Sequence, residues 1–185
     1  MKKYILTIAL FVSVSGMAVA QKMFFTRNGH VDFFSSTPME NIKADNNKVM
    51  SVIDVTTGDV EFSMLNMAFE FEKSLMQEHF NENYMESSKF PKSTFKGKIT
   101  NIGQVNFTSE GSYTAEVAGK ITIHGVTRDI NTKGTIVVKD GKFTVQSAFI
   151  LRPEDFGIEI PKLVRENIAK EIKVSVDCRY EPFTK

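Results

Sequence analysis

The sequence predicts a mainly β protein, a single antiparallel barrel of roughly eight or nine strands with one or two short α-helices. Three observations point there. From Tyr113 to Ile123, and again from Ile130 to Val138, apolar and polar residues alternate with period two around a break at His124-Gly125. The last stretch alternates as cleanly: Ile172, Val174, Val176, Cys178 and Tyr180 against Lys173, Ser175, Asp177, Arg179 and Glu181. Short turn signals join the periodic segments, which forces antiparallel pairing, since parallel strands need a long crossover. Closure into a barrel would remove the exposed edges, and a flattened sandwich is the alternative that patterning leaves open.

The elements follow in order. Met1–Ala20 reads as a secretory signal peptide: Lys2 and Lys3, a short apolar run, then Ala18-Val19-Ala20 before Gln21. Cleavage after Ala20 predicts a periplasmic or secreted protein, with 21–185 as one domain. Met23–Arg27 and His30–Ser35 flank Asn28-Gly29, a strong two-residue hairpin signal. Val49–Val55 and Val60–Asn66 flank a turn at Thr57-Gly58-Asp59, with apolar residues on both parities, which predicts strands covered on both faces. Met76, Phe80 and Tyr84 then recur every fourth residue, with Leu75 and His79 beside them, predicting an amphipathic helix over Lys73–Met85. Strand resumes at Ser93–Ile102, and Asp140-Gly141 turns the chain into Lys142–Leu151. Pro161–Lys170, with Leu163, Val164 and Ile168, predicts a second short helix.

Composition excludes several classes. A formal charge of +1 with no basic stripe argues against nucleic acid. No apolar run reaches membrane-spanning length, so the mature chain is expected not to span a membrane. The single Cys178 lies on the apolar parity of its strand and predicts a buried, inert thiol. With 16 Phe and 9 Met, packing must supply stability, and such side chains suit either a filled core or an adaptable ligand tunnel.

Three stretches carry a family resemblance. ITIHGVTRD at 121–129 resembles the L-T-I-H-G-V-T-K segment of YceI-like lipid- and polyisoprenoid-binding proteins. Phe90-Pro91 with Phe95 resembles the family's Y-P-x-I-x-F, and Arg152 with Asp155-Phe156-Gly157 its R-x-D-F-G-I. The matches come in family order. The chain departs from the pattern near its start, where it has no Trp and reads VDFFSSTPMENIKADNNKV. The resemblance implies a lipocalin-like extended barrel that holds an isoprenoid or similar lipid, and a possible homodimer.

On that reading the candidate lining is Phe62, Met64, Phe95, Ile99, Val117, Ile121, Ile123, Ile136, Phe149, Val174 and Val176 on the strands. Leu75, Met76, Phe80 and Tyr84 would form a lid or wall. Ordinary core packing accounts for each of these positions equally well, because small barrels are often filled. Arg152 and Asp155 are a possible polar mouth or a structural pair at a strand end. His30, His79 and His124 lack the spacing that puts ligands on one face, so no metal or other cofactor is expected. His124 reads as a turn residue whose ring bonds nearby backbone. No nucleophile elbow, zinc-protease motif, P-loop or dinucleotide fingerprint appears, so no catalytic residue is assigned. A filled-core interaction module remains the rival, with Phe24, Phe25, Phe33 and Phe34 as an apolar edge for dimerisation or a partner protein.

Overall fold

The computed structural model describes residues 22–183; the signal-peptide expectation lies outside them. Among the described residues nine strands form: β1 Met23–Ser36, β2 Asn41–Asp54, β3 Asp59–Leu65, β4 Glu70–Phe71, β5 Lys92–Ile99, β6 Gly111–Ile123, β7 Val126–Lys139, β8 Lys142–Leu151 and β9 Ile172–Pro182. One helix, α1, spans Ser74–His79 and runs into a wider turn over Phe80–Tyr84. Hydrogen-bonded neighbours run β1-β9-β8-β7-β6-β5-β3-β2, and β2 pairs back to β1. Eight antiparallel strands therefore close on themselves, and the sandwich alternative falls. The short β4 extends the pairing along β2 at Ala44 and Asp45.

The central hairpin is the longest ladder, from Gly111↔Val138 to Ile123↔Val126. Gly97 faces Gly119 across β5 and β6. A Cβ on Gly119 would stand 2.6 Å from the Cα of Gly97 and 2.7 Å from the Phe95 ring, so the ring lies across a place where two backbones touch.

Three expectations are corrected. Asn28-Gly29 makes no hairpin turn; β1 runs straight through it, with bulges on either side of Gly29. The glycine serves a close approach instead: its Cβ would lie 2.5 Å from Cys178 Sγ. The actual turn is Thr37–Glu40, where Thr37 Oγ1 accepts from the backbone N–H of Met39 and Glu40. Accordingly β2 begins at Asn41, eight residues before the first apolar pair that marks it in the sequence. The second helix does not form either. Only Lys162–Val164 makes a single tight turn, and Leu163 is 98% exposed. Finally, β2 is not covered outside, because Met50 and Val52 face solvent.

The rival module also loses its surface. Phe24 is buried, Phe33 points into the barrel, Phe25 packs edge-on against Phe183, and only Phe34 among the four is exposed. β1 has no free edge, since it pairs with both β2 and β9.

Candidate functional site: an apolar cavity with one mouth

Strand directions give the barrel two unlike ends. The starts of β1 and β8 and the ends of β2 and β9 meet at one of them. There Phe143 stacks on Tyr180 at 5.0 Å, with Phe24 at 4.9 Å and Phe107 at 5.0 Å from Phe143. Tyr180 is fully buried, and its hydroxyl donates to Ser51 Oγ at 2.6 Å. Burial raises the Tyr180 phenol well above its ordinary value. This end is a solid aromatic plug.

Above the plug the barrel is hollow. A cavity of about 370 Å³ is walled by the inward parity of every long strand. Of the residues expected from the sequence, Phe62 and Met64 (β3), Phe95 and Ile99 (β5), Val117, Ile121 and Ile123 (β6), Ile136 (β7), Phe149 (β8) and Val174 and Val176 (β9) all stand on that wall. So do Met76, Phe80 and Tyr84. Leu75 does not: α1 turns it outward, 59% exposed, because one residue along a helix is a rotation of about 100° away from Met76. Desolvation at the wall raises the Tyr84 phenol above its ordinary value.

Two irregular segments roof the open end. The first, 66–91, carries α1 and closes an aromatic cluster in which Phe33 stacks on Phe80 at 5.5 Å, with Phe69 and Phe71 around it. It is anchored by the buried Asn66, whose amide donates to Phe90 O at 2.7 Å and whose Oδ1 accepts from Ser93 at 2.8 Å. The second, 152–171, contributes Phe156, Ile158, Ile160, Val164 and Ile168 to the wall. Sequence reasoning placed Val164 and Ile168 on a helix and passed over the alternation of Phe156, Ile158 and Ile160, which was the available signal.

The mouth is polar. Arg152 stands at its edge and pairs with Glu171 at 2.6 Å, which raises the guanidinium further above its ordinary value. Asp155 is not on the wall; its backbone carbonyl accepts from Arg128 Nε at 2.8 Å, so of the expected Arg152–Asp155 mouth only Arg152 lines the cavity, with Glu171, itself off the wall, as its ion-pair partner. Glu40, which carried no motif, also reaches the mouth. It binds Lys73 at 3.1 Å and accepts from Asn167 at 3.2 Å, tying the β1–β2 turn, the base of α1 and the second roof segment together. Lys73 and then Asn167 hold the Glu40 carboxyl below its ordinary range.

His124 sits beside the mouth without facing the cavity. Its Nε2 meets Glu86 Oε2 at 2.9 Å, and its Nδ1 meets Phe156 O at 3.2 Å. His124 and Asp155 thus stay off the cavity wall, whereas His79 stands on it.

Known structures share this architecture. A polyisoprenoid-binding domain from Saccharophagus degradans, implicated in plant cell wall breakdown, superposes with a TM-score of 0.77 at 14% identity, covering 88% of this chain and 99% of that one. BcnA from Burkholderia cenocepacia gives 0.68 at 13% identity, covering 83% and 96%. A YceI protein from Campylobacter jejuni gives 0.54 at 16% identity over the full length of both chains. At these identities the likeness is one of fold. No curated relative matches. The family model for the YceI-like domain matches residues 11–180, and the chain belongs to that family.

Proposed function

We propose that the protein is a secreted or periplasmic, non-enzymatic carrier of one long apolar molecule, an isoprenoid, quinone-like or other lipid, held inside the barrel. The observation that carries this reading is the hollow itself: about 370 Å³ of space walled by aliphatic and aromatic side chains, plugged at one end and roofed at the other. Each methylene moved from water into such a wall contributes about 0.8 kcal/mol, so a long hydrocarbon needs no charged contact to bind tightly. Arg152 and Glu40 at the mouth suit a polar headgroup that stays near water. The Saccharophagus neighbour, described as polyisoprenoid-binding, supports the choice of lipid class.

Native mass spectrometry of protein purified from its own host tests the proposal. The expected result is one lipid per chain, released by organic extraction. Protein that is always empty, and that takes up no isoprenoid analogue in vitro, would overturn it. The same preparation tests the other expectations. A mature N-terminus at Gln21 would accord with export, and light scattering would show whether the protein pairs.

A further inference from the structure

The outer wall of the barrel carries a second constellation, remote from the cavity. On β1, His30 and Asp32 are two residues apart and share the outward face. Asp45 on β2 lies directly opposite Asp32 in the ladder. Two carboxylates in that relation repel each other and weaken the pair. Their side chains are about one-fifth and one-third exposed, so water screens them only in part.

The imidazole of His30 is aimed at both acids. Between Gly29↔Val49 and Val31↔Asn46, β2 holds one more residue than β1, and this bulge brings Asn47 beside the ring. Asn47 Oδ1 accepts from His30 Nδ1 at 2.8 Å. That bond fixes the proton on Nδ1 and turns the lone pair of Nε2 toward the carboxylates. Nε2 then stands 3.5 Å from Asp32 Oδ2 and 3.4 Å from Asp45 Oδ1.

These separations lie within ion-pair range for a protonated ring, and they also match the spacing of ligands around one ion. An N–H···O hydrogen bond has a heavy-atom distance of about 2.7–3.2 Å, so neither contact is a good one. Ligands bound at about 2.0–2.2 Å in a tetrahedron are themselves about 3.3–3.6 Å apart. The three ligand atoms lie within 4.8 Å of one another. The three ligand atoms converge, and the Lys43 ammonium, on Asp45 Oδ1 at 2.9 Å, competes with an ion for that oxygen. A neighbouring acid, Asp177 on β9, is already occupied by the Gln146 amide at 2.7 Å.

We propose that His30, Asp32 and Asp45 form a binding site for a divalent transition ion of the zinc type, with Asn47 orienting the histidine and the solvent side left for water. One nitrogen and two oxygens suit zinc over the purely oxygen-seeking calcium and magnesium. Histidine spacing along the sequence hides such a site, because its carboxylates come from two strands and only one ligand is a histidine. The inference is independent of the cavity and of what fills it.

Calorimetric titration of the untagged protein with zinc chloride tests the site. The expected result is one ion per chain. His30→Ala and Asp32→Asn each weaken binding by more than tenfold, and Asn47→Ala by about tenfold, as loss of an orienting partner does. His79→Ala leaves binding unchanged, and Lys43→Ala tightens it by freeing Asp45. Tenfold excess zinc over the dissociation constant raises the unfolding midpoint of the parent by about 3 °C and that of His30→Ala by nothing. All three substituted ligand and orienting positions, His30, Asp32 and Asn47, are on the barrel exterior, and unfolding midpoints in chelator confirm that each variant is folded. No saturable one-to-one binding by the parent, or equal affinity in His30→Ala, overturns the site.

Discussion

His124 and Glu86 are 38 residues apart, meet at 2.9 Å, and both adopt left-handed backbone, with φ of 50° and 41°. Such a conformation costs a non-glycine residue about 1–3 kcal/mol, so surrounding contacts must hold it. The contact joins the tip of the β6–β7 hairpin to the exit of the first roof segment. Through Nδ1 the same ring reaches Phe156 O in the second roof segment, and Phe90 packs edge-on against it at 4.6 Å. One imidazole therefore fastens both halves of the roof to the barrel rim. His124→Leu keeps the volume and loses both polar contacts. It is expected to cost about 1–3 kcal/mol. Hydrogen exchange should rise over 80–90 and 153–160 while the strands stay protected, and a bound fluorescent isoprenoid analogue should leave faster.

The hollow and the plug predict opposite responses to substitution. Val117 lies on the cavity wall, part-buried, with space in front of it. Val117→Phe fills that space, so it should weaken lipid uptake at least tenfold while changing stability by no more than about 1–3 kcal/mol. A variant that unfolds, or that binds as the parent does, would show that this part of the wall is packed or unused.

Phe143 sits in the plug, in ring contact with Phe24, Phe107 and Tyr180. Phe143→Ala should cost about 3–5 kcal/mol in denaturant unfolding, because a close-packed aromatic site collapses poorly. The lipid-binding affinity of the folded fraction should be nearly unchanged, since Phe143 is not on the cavity wall.

Cys178 is buried under Gly29, and burial pushes its thiol up to about 12. The unfolded thiol ionises near about 8.5. The folded state thus holds the proton more tightly, and this contribution to stability is complete below about pH 8.5 and is lost as pH rises toward about 12. Iodoacetamide at pH 8 should leave the native protein unlabelled and modify it stoichiometrically in denaturant. Fast labelling of the native protein would mean that β9 opens locally at the Gly29 contact.

Much of this architecture is legible in the sequence, and the failures have physical causes. β6, β7 and β9 alternate because one face meets the interior and the other meets water; parity names Val117, Ile121, Ile123, Ile136, Val174 and Val176 on the wall, while Ala115, Ile130, Thr132, Gly134 and Ile172, which also line it, are not among the expected residues. Asn28-Gly29 misleads because the same small residue that permits a tight turn also permits close packing over Cys178. The start of β2 is hidden because a buried Asn46 occupies an inward position, its amide satisfied by Leu65 O at 3.0 Å. The 161–170 segment has helical spacing but faces a cavity rim on one side only, so Val164 turns in while Leu163 turns out. Of the mouth only Arg152 is legible, from its motif; Glu40 and Asn167 are 127 residues apart and neither belongs to a motif.

That mouth contact sets the last expectation. Lys73, and then Asn167, lower the Glu40 carboxyl below its ordinary value. A lowered folded-state pKa means that the stabilisation is fully present above the unfolded value of about 4.3 and disappears as pH falls through the folded one. Acid should therefore loosen the joint between the β1–β2 turn, α1 and the second roof segment before the barrel unfolds. Hydrogen exchange at 37–40 and 161–169 should accelerate below about pH 4. Glu40→Gln keeps an acceptor for Asn167 but removes the charge that holds Lys73, so it should reproduce part of that acceleration at neutral pH and abolish its acid dependence. An acid response that persists in Glu40→Gln would assign the opening to another carboxylate, with Glu171 beside Arg152 the next to test.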